Sequence, residues 1–171
     1  MAFHITQLRF YLIVPFLALL AVVQATIVAR FTFSAKPDLL LLVVIGWGAT
    51  STTRDAYAWG LIGGMWLDVF SGFPFGVQTA ALGAMGALAN SLETVFFRTN
   101  ILVPLATIFV ATVLYHAIEL GILQALGRIV DWTGLITRVI LPSALINTAL
   151  MPFVYGAIRR FTRRAREDLG V

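Results

Sequence analysis

Gly60-Leu61-Ile62-Gly63-Gly64-Met65-Trp66-Leu67-Asp68-Val69-Phe70-Ser71-Gly72-Phe73-Pro74-Phe75-Gly76 reads as an apolar helix with one carboxylate near its end and a Gly/Pro turn after it. Asp68 lies between Leu67 and Val69. A charge held at bilayer depth costs about 2.5 to 3.5 kcal/mol on insertion scales, so such a residue is a functional candidate by default. Gly60 and Gly64 stand four apart on one helical face, which lets another helix come close. The helix then breaks, because Pro74 lacks an amide donor and Gly72 and Gly76 accept turn dihedrals that other residues resist. This predicts a short, ordered re-entry loop.

The chain around this stretch has 171 residues, 60% of them hydrophobic and 12% charged, with a mean hydropathy of +0.92. That is not the mix of a soluble globular domain. It predicts an all-α integral membrane protein, a compact helical bundle without a sizeable extramembrane domain, so any chemistry sits in or just outside the bilayer. The net charge is +4, and the excess lies at residues 159–171, where Arg159, Arg160, Arg163, Arg164 and Arg166 face only Glu167 and Asp168. Such clustering marks a cytoplasmic tail drawn to anionic lipid and does not call for nucleic-acid binding. With no cysteine, structural disulfides and thiolate metal sites are excluded.

Apolar runs place six transmembrane helices at about 10–29, 38–51, 56–71, 75–92, 101–126 and 139–158, with a basic cytoplasmic tail at 159–171. The first run reaches the roughly 20 residues needed to cross a hydrocarbon core and is therefore read as a retained span, with Pro15 in its first turns. Pro37 and Asp38 are a helix-start signature, since proline is preorganised for the first turn and a carboxylate meets the positive helix end. The second and third runs are short and read as two crossings over one re-entrant pair. The fourth, with Gly76, Ala80 and Ala84 on one stripe and Gly83, Ala87 and Ser91 on another, is expected at the centre of the bundle. Pro142, Asn147 and Pro152 predict a kink or freed carbonyls in the sixth. With both termini inside, eight Arg and Lys residues are cytoplasmic and four external, which supports that orientation.

On this topology Gln24, Asp68, Gln78, His116 and Glu119 fall at similar depth in the outer half. Ionisable groups on separate helices can hold a ligand or a proton, or lock the helices together. His116 and Glu119 stand at (i, i+3) spacing and can pair with each other. Asp68 can cap a helix and bind loop amides of residues 71–76, or serve a partner. No Ser/His/Asp grouping and no phosphate-cradling glycine loop is visible, and the second histidine, His4, lies at the opposite face, so the reading is not an enzyme. A metal site would have to combine His116 with carboxylates alone, an uncommon set, and neither metal nor cofactor is expected.

Pro37-Asp38 followed by four leucines, then Gly60-Leu61-Ile62-Gly63-Gly64 with Leu67-Asp68-Val69-Phe70-Ser71-Gly72, Pro74 and Gly76, resembles the rod shape-determining protein MreD family. The resemblance implies a non-enzymatic, multi-pass subunit of the bacterial inner membrane in the cell-elongation machinery. Its implied partners are the bitopic protein MreC, the RodA and class B penicillin-binding-protein peptidoglycan synthase, and MreB filaments. On that reading the Gly60 and Gly64 face and the loop of Ser71, Gly72, Pro74 and Gly76 contact the partner, with Asp68 fixing the loop.

The alternative is a substrate-binding subunit of an energy-coupling-factor vitamin transporter, also a small six-helix protein with an external pocket. The Ala21, Ala25 and Ala29 stripe is similar to the coupling-helix motif of those subunits. A vitamin binder should line an outer cavity with Gln24, Asp68, Gln78, His116 and Glu119, whereas an adaptor should pair those groups with each other or with a partner.

Overall fold

The computed structural model describes residues 2–26, 36–50, 55–91 and 102–167, all helical apart from short connections. Among the described residues six long helices run α1 (Ala2–Thr26), α2 (Leu39–Thr50), α3 (Ala56–Ser71), α4 (Val77–Ser91), α5 (Leu102–Ala125) and α7 (Leu141–Glu167); a single turn, α6 (Trp132–Leu135), precedes α7. The polar breaks expected around 30–35, 51–54 and 93–100, with Arg30, Arg54 and Arg98, lie outside the described residues.

The centre is α2. Its Leu40, Leu41, Leu42, Val44 and Ile45 are no more than 1% exposed, and a helix that is apolar on every side belongs inside. It touches each of the other five long helices, which follow one another around it as an open arc in the order α1, α3, α4, α5, α7. The small residues of α4 do not mark the centre, as the sequence suggested: Ala80, Ala84, Ala87 and Ser91 are exposed, while Gly83 and Gly86 lie against α3 and Ala89 against Gly48 of α2. A Cβ on Gly64 would stand 2.5 Å from the Thr79 Cα, and one on Gly60 would strike the Leu82 carbonyl oxygen, so these two positions hold backbone against backbone. The Ala21 position of the α1 stripe is likewise fully buried in the core, as plain helix packing requires.

Inward residues recur at helical spacing on the outer helices: Pro104, Ile108, Thr112, Tyr115 and Glu119 on α5, and Ile140, Ala144, Asn147 and Met151 on the run into α7. Two elements extend beyond the expected limits. Helix α1 begins at Ala2, which puts Pro15 in its interior rather than its first turns. The connection after α5 also ends early. Residues 136–140 form a wide π turn that feeds directly into α7, and Pro142 follows at once. Without an amide at Pro142 the usual bond to residue 138 cannot form, and a wider turn is a common way to absorb that loss. At the other end α7 stays helical through the basic residues to Glu167.

Successive helices alternate in direction. Gln24, Asp38, Asp68, residue 125 and α6 gather at one end, where cross-helix hydrogen bonds and a shared groove join them. At the opposite end Trp47 stacks on Trp59 at 4.1 Å between centroids, and the Asn90 amide oxygen accepts from the Ala56 backbone N–H at 3.1 Å.

Candidate functional site

Asp68 is 5% exposed and sits one turn before α3 stops. The chain turns there through Gly72 and Gly76, both at positive φ (71° and 101°), which lets the backbone double back onto the carboxylate. Asp68 Oδ2 accepts from the Gly76 N–H at 2.9 Å, the Thr79 N–H at 3.1 Å and the Thr79 hydroxyl at 2.5 Å; Oδ1 accepts from the Gln78 N–H at 2.8 Å. Four donors thus surround one carboxylate, three of them backbone amides, those of Gly76 just before α4 and of Gln78 and Thr79 in its first turn, where the helix dipole also favours negative charge. Of the two roles open to Asp68, the structure displays the cap, its amides belonging to Gly76 and the start of α4. Gly60 and Gly64 are covered by that same helix. The loop at this end is uncovered: Phe73 is 41% exposed and Phe75 71%.

A second polar cluster joins α2, α5 and α7. The Asp38 backbone N–H donates to Asn147 Oδ1 at 2.9 Å, and Asn147 Nδ2 donates back to Asp38 Oδ2 at 2.8 Å and to the Thr112 hydroxyl at 3.1 Å. His116 lies between two carboxylates, with Nε2 3.3 Å from Asp38 Oδ2 and Nδ1 2.9 Å from Glu119 Oε2. Tyr115, fully inside, donates its hydroxyl to Gln78 Oε1 and so links the two clusters. Gln24 stands apart from both: its Oε1 accepts from the Leu40 N–H at 3.1 Å and caps α2 from α1. Among the described residues no three His, Asp or Glu side chains are placed to hold a metal ion.

The five polar groups expected at one depth do not all converge: Gln24 stands apart, and the others bond to one another or to helix ends. The (i, i+3) pairing of His116 with Glu119 is present. Pro37 precedes α2 as a helix start should, and the Asp38 carbonyl accepts the first bond of the helix from the Leu42 N–H at 2.9 Å. The Asp38 side chain, however, reaches across to Asn147 and His116. Sequence reading missed Thr79, Asn90, Thr112, Tyr115 and the pairing role of Asn147. For Thr112 and Tyr115 the signal was their place on the same α5 stripe as Glu119.

A groove of about 310 Å³ opens beside the Asp68 loop. Residues 71–74 form one wall, Leu120 and Leu123 of α5 the floor, and residues 128–130 with Leu135 the other wall.

These features, a glycine-faced third helix whose aspartate anchors the Gly/Pro loop and a Pro-Asp start to a central leucine helix, are the ones that carried the resemblance. The family model of rod shape-determining protein MreD matches residues 4–161. The chain belongs to the MreD family. Membership gives it a role in rod-shape determination as a membrane protein, and two helical runs, 102–125 and 132–162, are long and apolar enough to cross a bilayer. No curated protein and no solved structure matches the chain.

Proposed function

We propose that this MreD-family protein is a non-enzymatic, six-span subunit of the bacterial inner membrane that docks a single-span, MreC-like partner. Through that partner it helps couple MreB filaments to the RodA and class B penicillin-binding-protein synthase. Both termini are cytoplasmic on this reading, the basic end of α7 meets anionic lipid, and the Asp68 loop faces outward. One observation carries the proposal: the intramembrane polar groups are engaged in holding helices to helices, while the apolar side chains of the 71–76 loop stand exposed at the end of the bundle.

The vitamin-binder alternative has less support. Gln24, Asp68 and Gln78, which would have to line its cavity, are bonded to backbone amides or to Tyr115, and none of them lines the groove beside the loop.

Phe75→Asp tests the docking surface without touching the core. Expected is a loss of about tenfold or more in the MreC-like partner co-purified from membranes, with the variant itself still monodisperse. Undiminished co-purification would remove the loop from the interface.

A further inference from the structure

We propose that the groove between the 71–74 loop and the 128–135 connection is an anchor pocket for the partner. It would take one large apolar side chain from an extended juxtamembrane segment, with a carboxylate of that segment on Arg128. This rests on the docking reading above and adds the chemistry of the contact.

Size decides first. The groove's volume of about 310 Å³ falls at the lower end of the roughly 300–1,000 Å³ usual for ligand sites, enough for an aromatic or long aliphatic side chain. A helix, about 10 Å across with its side chains, does not fit. The floor of Leu120 and Leu123 and the Leu135 wall are apolar, and at the mouth Arg128 is exposed with no carboxylate of the described residues paired to it. A guanidinium in that place selects a carboxylate, which it can grip with two parallel N–H donors.

Both walls are held in advance of binding. Asp68 fastens the loop to α4 as described. On the other side the Gly134 N–H donates to Asp131 Oδ1 at 3.1 Å, and Trp132 Nε1 donates to Gln124 Oε1 at 2.7 Å, tying the connection back onto α5. A preformed pocket avoids much of the ordering cost of association. The rim is apolar as well: beside Phe73 and Phe75, Leu126 is 59% exposed and Ile129 fully so. These four side chains lie on connections beyond the helix ends, where such patches mark a protein or a membrane contact, and the preformed groove with Arg128 at its mouth favours the protein.

The test uses the full chain co-expressed with its MreC-like partner in membranes, with a photo-crosslinking amino acid at position 129. Expected is a crosslink to a partner residue that has an Asp or Glu within a few positions. Arg128→Glu should lower co-purified partner about tenfold, reversing that acidic residue to Lys should restore it, and Leu123→Trp, which fills the floor, should mimic the loss. Crosslinks to lipid alone, or full co-purification by Arg128→Glu and Leu123→Trp, would overturn the pocket. If Phe75→Asp still abolishes binding in that case, docking at the loop stands without it. If the wild-type chain retains no partner at all, both readings fall.

Discussion

Asp38 and Asp68 are almost equally buried, at 7% and 5% exposure, and the two regions that contain them treat the carboxylate differently. In the α3–α4 hairpin every donor to Asp68 comes from within eleven positions along the chain, and most are backbone amides of one helix start. In the α2–α5–α7 region Asp38 bonds to a residue 109 positions away and shares His116 with Glu119, whose second oxygen accepts no hydrogen bond from the described residues. The first arrangement completes itself when two neighbouring helices fold together. The second exists only once three distant helices have assembled, so it reports on the whole bundle.

The comparison can be broken most severely at the hairpin contact. Gly60→Ala combined with Gly64→Ala places two methyl groups against the backbone of α4 and forces the helices apart; a loss of about 3 kcal/mol or more is expected, read as aggregation or a collapsed melting transition in detergent. The two aspartate environments can next be ranked by thermal denaturation. Asp68→Ala strands three amides and a hydroxyl and should cost about 3 kcal/mol, while Asn147→Ala deprives Asp38 of two hydrogen bonds and should cost about 2 kcal/mol. The opposite order would mean that the long-range cluster, not the hairpin, holds the fold. Smallest is Gln24→Ala, which removes one cross-helix cap from α2 and should cost about 1 kcal/mol, with no effect on partner binding.

What could be read from the sequence follows the same division. The turn at Gly72 and Gly76, the capping role open to Asp68 and the spacing of His116 and Glu119 are local features, and local spacing is enough to propose them. The central position of α2 is also written in its unbroken apolar run, but the small residues of α4 compete with it as a sign, because close approach and central position look alike along a chain. The bonds from Asn147 to Asp38, from Gln24 to α2 and from Asn90 to α3 join groups 16 to 109 residues apart, and no periodicity encodes which helix end a distant amide will meet. The groove was hidden for the same reason, since its walls come from three separate stretches of the chain.

Helix α7 runs without interruption from the turn beside the groove to the arginine-rich terminus, a length of about 40 Å for its 27 residues. A rod of that kind behaves as a lever, with Pro152 its soft point within the span. Torque applied to the arginines at one end of the helix would reach Ser143 and Asn147 near the other, so the two ends of the bundle could be joined mechanically through a single element.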